Sequence, residues 1–192
     1  MDLDAQGNAS TGLGVPKDER EKSTYDLLIG KASLKDVVKK TNIPSLFIAP
    51  ASTDLSSIDV DLFEEQGRVV KLRDLLAKEN FDFDYILIDC PPSLNLLTIN
   101  SMVASNSVLV PLQAEFFALE GLSQLLLTVR DIRSKINQDL KMHGIVLTMF
   151  DKRNNLSEQI EEDVRGNLGE LVYDTVIPVS YTHLTLPTIL RV

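Results

Sequence analysis

Three short apolar runs, separated by stretches with helical periodicity, place the strongest limit on the fold of this chain. The runs are Tyr85–Asp89, Ser107–Leu112 and Gly144–Phe150. A nearly continuous apolar run of this length is typical of a strand that is buried on both faces, as in a parallel sheet. Leu46–Pro50 is a weaker candidate strand, and Val172–Ile177 is a further one.

Apolar residues recur at helical spacing between the predicted strands. The spacing predicts helices over Arg68–Lys78, Leu119–Ile136 and Ser157–Leu168, with Ser157 as the cap of the last one. Strands that alternate with helices form right-handed βαβ units. The sequence therefore predicts an α/β domain with a parallel, doubly wound sheet.

Composition excludes several classes of protein. The 192 residues are 44% hydrophobic and 24% charged, which is typical of a globular domain. No apolar run approaches the roughly 20 residues that span a bilayer, so we expect no membrane association. The single cysteine, Cys90, excludes an intramolecular disulfide and a multi-cysteine metal site, and the cytoplasm is the expected compartment. The net charge of −9 repels nucleic acid, so DNA binding would need a local basic patch.

Asp89 is the first candidate functional residue because it ends the apolar run Tyr85–Asp89. Open α/β sheets place their ligands at the carboxyl ends of the strands. A carboxylate in this position is the Walker B arrangement, which holds Mg²⁺ through water while the metal bridges nucleotide phosphates. An aspartate that caps the next helix explains the pattern equally well. Ser93 is a second predicted cap for the helix that contains Leu96 and Leu97.

The second candidate is the amino-terminal segment MDLDAQGN. Alternation along a strand puts Asp2 and Asp4 on the same side, and Gly7 permits a sharp exit from the strand. A carboxylate that faces a magnesium-bound phosphate can orient or deprotonate an attacking water. A solvated turn is the alternative, and the pattern alone favours that alternative.

Five segments together resemble one family, the ParA/Soj partition ATPases, which have a deviant Walker phosphate-binding loop. MDLDAQGNASTGLG resembles the family pattern DxDxQGNxxxGLG, and ILIDCPPS is similar to its Walker B segment. VPLQAEFFALEGL, TMFDKR and VIP at 176–178 are similar to three later segments. They occur in the family order over residues 1–178. The chain is therefore identified as a member of this family.

The resemblance implies a P-loop NTPase sheet, with ATP and Mg²⁺ as cofactors, and it assigns roles to individual residues. Asp4 corresponds to the catalytic aspartate that positions the hydrolytic water. Asp89 corresponds to the Walker B acid that acts on Mg²⁺, and Asp2 to the preceding acid near the metal. Residues near the face where two protomers sandwich ATP are Gln113, Glu115 and Gly121. Residues near the adenine pocket are Met149, Asp151 and Pro178.

The function implied by the resemblance is chromosome or plasmid partitioning. In such a protein, Mg·ATP hydrolysis is coupled to ATP-dependent homodimerisation and to non-specific DNA binding, and a ParB-type protein stimulates hydrolysis. The implied location is cytoplasmic and nucleoid-associated. Two alternatives stay open: a non-catalytic remnant, and a ParA-like ATPase that positions a protein cargo.

The chain departs from the family pattern at the phosphate-binding loop. The family's K-G-G-V-G-K-T-T loop, with its first strand and following helix, is expected before Met1, and no Gly-rich GK[ST] loop occurs in the sequence. That loop supplies most phosphate contacts. We therefore expect residues 1–178 to form a partial ATPase domain that is inactive alone. Without its first strand, the sheet is expected to expose unpaired edges and apolar surface.

The last segment, residues 179–192, has an unusual origin in our interpretation. Its VSYTHLTLPT sequence is a valid in-frame translation of a transposon-end sequencing adapter. We therefore predict a non-native read-through tail that takes no part in the fold. A native strand and tail is the alternative.

Overall fold

A computed structural model describes residues 1–79, 82–115 and 118–179 of the chain. The chain forms two compact units, residues 1–105 and residues 106–192. Within the described ranges, no helix has both the length and the apolar character needed to cross a membrane.

Most of the regular secondary structure of the first unit is helical. Its helices are α1 (Asn8–Gly12), α2 (Thr24–Leu28), α3 (Leu34–Val37), α4 (Ile58–Asp61), α5 (Lys71–Lys78) and α6 (Leu96–Ala104). Single 3₁₀ turns cover Lys17–Glu19 and Thr53–Ser57. Two short strands, β1 (Lys39–Lys40) and β2 (Phe47–Ile48), pair antiparallel.

The amino-terminal residues lie between two other segments of the first unit. The Asp2 amide donates to the Ala49 carbonyl at 3.0 Å, and the Leu3 amide donates to the Asp89 carbonyl at 2.7 Å. The Asp89 amide donates in turn to the Met1 carbonyl at 2.9 Å, so Asp2 and Asp89 form a parallel bridge. This pairing fixes two of the predicted site residues side by side.

The core of the first unit forms around this pairing. Leu3 has no exposed surface, and it belongs to an apolar cluster with Leu28, Ala51, Leu55, Ile58, Leu62, Leu72, Leu96 and Leu97. Asn100 joins α5 to α6: its Oδ1 accepts from the Leu72 amide at 3.0 Å, and its Nδ2 donates to the Arg68 carbonyl at 2.8 Å. The predicted helix over Arg68–Lys78 is confirmed, although it begins at Lys71.

The prediction that Tyr85–Asp89 is a strand buried on both faces is wrong. The run forms a bridge at Asp89 but is not otherwise assigned as a strand, and Tyr85 and Leu87 are 88% and 81% exposed. An apolar run becomes buried only where a second layer packs on it. Among the described residues, no such layer covers Tyr85 and Leu87. The predicted exposure of apolar surface is thereby confirmed.

The second unit contains a βαβ arrangement. Its elements are β3 (Ser107–Gln113), α7 (Ala118–Lys135), β4 (Lys141–Thr148), α8 (Asn155–Leu168) and a 3₁₀ turn (Gly169–Leu171). Strands β3 and β4 are parallel, with an irregularity between Val108 and Leu109. The predicted parallel α/β architecture is confirmed here.

Strand β4 has a second neighbour in place of the predicted strand over Val172–Ile177. That segment makes two isolated parallel bridges, Ile145 with Val172 and Phe150 with Pro178. The Tyr173 amide donates to the Ile145 carbonyl at 2.9 Å, so the segment follows β4 without a continuous ladder. The predicted tail lies outside the described residues except for Val179, whose amide donates to the Phe150 carbonyl at 3.2 Å.

Both serine caps predicted from the sequence are replaced by asparagines. Asn95 Oδ1 accepts from the Thr98 amide at 3.2 Å and caps α6, and Asn154 Oδ1 accepts from the Leu156 amide at 3.0 Å and caps α8. Ser157 is buried within the first turn of α8. Asparagine and serine are both good caps, so the backbone geometry decides between neighbouring candidates.

Candidate magnesium and hydrolysis site

The structure brings three predicted acids together at one edge of the first unit. Asp2 and Asp89 are paired through the backbone, and Asp4 follows two residues after Asp2. Asp89 reaches the surface, yet partial burial raises its pKa, and repulsion from the Asp2 and Asp4 carboxylates raises it further. The Met1 ammonium acts weakly in the opposite direction. The three carboxylates thus interact electrostatically.

Asp2 is an anchor rather than an open ligand. It has no exposed surface. Its Oδ1 accepts from the Asp4 amide at 3.1 Å, and its Oδ2 accepts from both the amide and the hydroxyl of Ser10, at 2.8 and 2.6 Å. Its carbonyl accepts from the Thr24 hydroxyl at 2.8 Å. Asp2 pairs with Asp89 through the backbone, but protein donors occupy the side-chain oxygens of this acid, which the resemblance places near the metal. Because Asp2 is fully buried, the alternative of a solvated turn is excluded for this residue.

Asp4 begins the turn that leads into α1. Its Oδ1 accepts from the Gln6 amide at 3.0 Å, and its carbonyl accepts from the Gly7 amide at 2.9 Å. Gly7 has φ 66°, which confirms the predicted sharp exit. The turn leaves the Asp4 side chain half-buried beside Asp2.

Asp89 does not cap the following helix. Helix α6 begins seven residues later, and Asn95 caps it. The capping alternative is therefore excluded. The next residue, Cys90, is half-buried, and burial raises the pKa of its thiol. A protonated, half-buried thiol is consistent with a packing residue rather than a nucleophile.

The carboxylate of Asp89 suits a Mg²⁺ ion that is also bound by phosphate. In the described part of the chain, no three His, Cys, Asp or Glu residues are close enough to hold a metal by themselves. Mg²⁺ keeps several waters and takes one or two carboxylates plus substrate phosphates. Partial burial and the neighbouring carboxylates disfavour the ionised form of Asp89, which still reaches the surface, so a divalent cation would stabilise its ionised carboxylate.

A cavity of about 860 Å³ adjoins Asp89 within the first unit. Its lining is largely apolar and includes Met1, Leu13, Tyr85 and Leu87. Among the described lining residues, Lys40 is the one lysine or arginine. The cavity therefore offers little of the cationic and amide lining that a triphosphate needs.

The three predicted dimer-face residues lie in the second unit. Gln113 ends β3, and the Glu115 amide donates to the Gln113 carbonyl at 2.9 Å. Gly121 lies in α7, and a Cβ added there meets no atom within 4 Å. No contact in the described chain explains a glycine in this helix.

The three predicted adenine-pocket residues lie on two adjoining segments of the second unit. Met149 follows β4 with φ 53°, which is unusual for a side chain with a Cβ. Asp151 accepts from the Arg153 side chain at 2.9 Å, and this bond and the Arg153 amide lower the pKa of the carboxyl to about 2. The bridge between Phe150 and Pro178 connects the two segments.

Three residues at the first site were not found from the sequence: Ser10, Arg20 and Thr24. Ser10 and Thr24 bind Asp2 directly, and Arg20 binds the loop that follows Asp4. Their partners lie 8 to 22 residues away along the chain or belong to the backbone. No short sequence pattern indicates contacts of that kind.

Comparison with known proteins identifies relatives over most of the chain. A family model described as an AAA domain matches residues 1–142. The chromosome partitioning protein ParA of Caulobacter vibrioides is 49% identical over 180 residues, covering 93% of this chain and 67% of that protein. The sporulation initiation inhibitor protein Soj of Bacillus subtilis is 46% identical over 178 residues, covering 93% of this chain and 70% of that protein.

Solved structures agree on the fold. A crystal structure of cobyrinic acid a,c-diamide synthase from Mycobacterium smegmatis, with bound ATP analog and magnesium, is similar to this chain with a TM-score of 0.85. It is 36% identical and covers 94% of this chain and 71% of that chain. The sequence identity to partition proteins, together with this structural likeness, shows that the chain belongs to the ParA/Soj family of chromosome-partitioning ATPases, which have an α/β P-loop NTPase fold.

Proposed function

We propose that this chain contributes the magnesium-side and water-orienting residues of a partition ATPase that hydrolyses Mg·ATP. One observation supports the proposal above all: the buried Asp2 carboxylate holds the Asp4 amide while Asp2 pairs with Asp89. Two acids that match the family pattern are thereby fixed at one edge. The crystallised relative with an ATP analog and magnesium supports the same cofactors.

Each acid has its own role in the proposed reaction. Asp89 would hold Mg²⁺ through water, and the metal would supply charge neutralisation at the nucleotide phosphates. The positive charge would offset the partial burial and the carboxylate repulsion that raise the pKa of Asp89. Asp4 orients the attacking water with the carboxylate oxygen that does not accept from Gln6. Asp2 acts indirectly, by holding the Asp4 backbone.

The chain alone is proposed to be inactive. Its sequence contains no GK[ST] loop, and the cavity beside Asp89 is largely apolar. Electrostatic stabilisation of the γ-phosphate is the main source of catalysis in phosphoryl transfer. A non-catalytic role for the isolated chain is therefore the second candidate.

The assignments of the dimer face, the adenine pocket and the partners rest on the role of the relatives in chromosome partitioning. We propose ATP-dependent homodimerisation through a face that includes Gln113, Glu115 and Gly121, and adenine binding near Met149, Asp151 and Pro178. The proposed partners are non-specific DNA and a ParB-type stimulatory protein, in the cytoplasm at the nucleoid. Positioning of a protein cargo in place of DNA is the alternative.

A hybrid protein tests the catalytic assignments. Residues 1–178 replace the aligned region of the Caulobacter vibrioides ParA, which supplies the remaining third of its length. We expect the hybrid to hydrolyse ATP, and Asp4→Ala to reduce kcat by about 100-fold or more while ATP binding is retained. Asp89→Ala is expected to lower kcat and to raise the Mg²⁺ concentration that gives half-maximal activity.

Asp18→Ala is the matched control, because Asp18 is exposed on a nearby 3₁₀ turn. Full activity of the Asp4→Ala hybrid would refute the role of Asp4. The unmodified chain is assayed in parallel: ATP turnover that Asp89→Ala abolishes would refute its inactivity.

A further inference from the structure

Arg20 lies next to the loop that connects Asp4 to the rest of the first unit. The loop runs from Asp4 through α1 to Val15, and Arg20 follows the 3₁₀ turn Lys17–Glu19. Neither the family pattern nor the sequence assigned this residue a role. It is half-buried, so its guanidinium is partly removed from water.

The guanidinium of Arg20 contacts both ends of the loop. Its Nε and Nη2 donate to the Val15 carbonyl at 3.1 and 2.8 Å. The same Nη2 donates to the Thr11 hydroxyl at 2.8 Å and to the Gly7 carbonyl at 3.3 Å. Its Nη1 donates to the Ala51 carbonyl at 3.2 Å. One side chain therefore binds the start, middle and end of the loop and joins them to a separate segment.

These acceptors are all neutral oxygens. Among the described residues, no ion pair includes Arg20. Its hydrogen bonds to four residues use the planar fork of the guanidinium, and a lysine ammonium has only three donors at one point. A charged donor to several carbonyls gives a stronger and more directional attachment than a neutral donor does.

The packing around Gly7 shows how closely Arg20 approaches the loop. A Cβ on Gly7 would lie 2.2 Å from Arg20 Nη1, well inside contact distance. A Cβ at this position would displace the Arg20 guanidinium from its acceptors, and the φ of 66° independently favours glycine. Gly7 follows Asp4 by three residues, and their backbones are hydrogen-bonded at 2.9 Å.

We infer that Arg20 is a positioning residue that fixes the loop from Asp4 to Val15. Asp2 holds the loop at Asp4 and Ser10, and Arg20 holds it at Gly7, Thr11 and Val15. The relevance of this loop to ATP hydrolysis rests on the proposed function. The attachment of the loop by Arg20 does not depend on that function.

Hydrogen exchange of the unmodified chain and its variants, without nucleotide, tests the inference. In Arg20→Ala we expect amides in residues 4–15 to exchange about tenfold faster or more, because hydrogen bonds to a charged group are lost. Amides of α6 in the same unit are expected to change less than about twofold. Arg73→Ala is the control, since Arg73 is exposed and, within the described ranges, its side chain bonds only to the neighbouring Asp74.

Two further measurements separate positioning from general stabilisation. Arg20→Lys should restore only part of the protection, because an ammonium cannot reach all of the acceptors. Ethylguanidinium, but not ethylammonium, should restore protection to Arg20→Ala. Unchanged exchange in residues 4–15, or equal acceleration in α6 in either variant, would overturn the inference. Since no nucleotide is present, failure of the proposed ATPase function leaves this result unaffected.

Discussion

The Ser10 hydroxyl donates to the buried Asp2 carboxylate at 2.6 Å and accepts from the Ala51 amide at 3.0 Å. Ser10 and Asp2 both have no exposed surface, so this pair connects three segments of the first unit in the absence of water. A buried carboxylate is tolerated only when hydrogen bonds replace its hydration. The pair therefore couples the stability of the first unit to the position of the Asp4 turn.

Ser10→Ala should destabilise the chain by about 1–3 kcal/mol, because a buried carboxylate loses a donor and the Ala51 amide loses its acceptor. Urea unfolding monitored by circular dichroism measures the effect. Ser56→Ala is the control, since Ser56 is exposed and its hydroxyl donates to the carbonyl of Thr53, three residues away. Its effect should stay within about 0.5 kcal/mol. Equal effects of the two substitutions would contradict the proposed coupling.

Gly7→Ala should lower the free energy of unfolding by more than the positive φ of Gly7 alone would account for. Gly7 and Gly30 have φ values of 66° and 78°, but a Cβ on Gly30 meets no atom within 4 Å. Gly30→Ala is expected to cost about 1–2 kcal/mol for its backbone conformation. Gly7→Ala adds the collision with Arg20 Nη1, so its urea midpoint should be clearly lower. The prediction fails if the two variants unfold at the same urea concentration.

Gly121→Ala should stabilise the chain by up to about 1 kcal/mol, because alanine is the better helix former and the added Cβ meets nothing. Thermal unfolding of the chain measures this gain. In the hybrid protein, the same substitution should weaken ATP-dependent dimerisation, measured by sedimentation. A hybrid that dimerises normally would remove Gly121 from the proposed dimer face.

Asp89→Asn should stabilise the chain at pH 7 in the absence of Mg²⁺. The folded-state pKa of Asp89 is raised above its usual value of 3.8, so the ionised carboxylate destabilises the folded state at neutral pH. This cost disappears as the pH falls through the raised pKa toward 3.8, where Asp89 is protonated in the folded state.

The measurement is the difference in urea midpoint between Asp89→Asn and the unmodified chain at several pH values. The difference should be largest at pH 7 and should vanish in acid. Asp59→Asn is the control because Asp59 is exposed and is not among the charges that shift the pKa of Asp89. A pH-independent difference would show that the charge of Asp89 is not the cause.

Local sequence patterns predicted the helices, strands and turns whose formation depends on neighbouring residues in the chain. The periodicity over Leu119–Ile136 corresponds to α7, which buries Leu122, Val129 and Ile132 on one side. The apolar runs at Ser107 and Gly144 correspond to β3 and β4, and their parallel pairing followed from the helix between them. The positive φ of Gly7 was likewise predicted, because the turn after a strand is a local requirement.

The remaining features depended on contacts between distant residues. Tyr85–Asp89 has the composition of a buried strand, yet burial requires another layer, and the run itself does not determine whether that layer is present. The cap positions differed from the prediction because several adjacent polar side chains are suitable, and only the backbone path selects one.

The sequence by itself determined the family, since the segments around Asp2, Asp4 and Asp89 suffice to assign it, and these three acids are the ones we propose to act. Only the tertiary structure decided how the three acids differ in burial and hydrogen bonding. Asp2 is buried, and its carboxylate accepts hydrogen bonds from Ser10 and Asp4. Asp89 reaches the surface, and its pKa is raised. The physical reason is that burial and hydrogen bonding depend on which segments meet in space, and identical side chains acquire different chemistry from different neighbours.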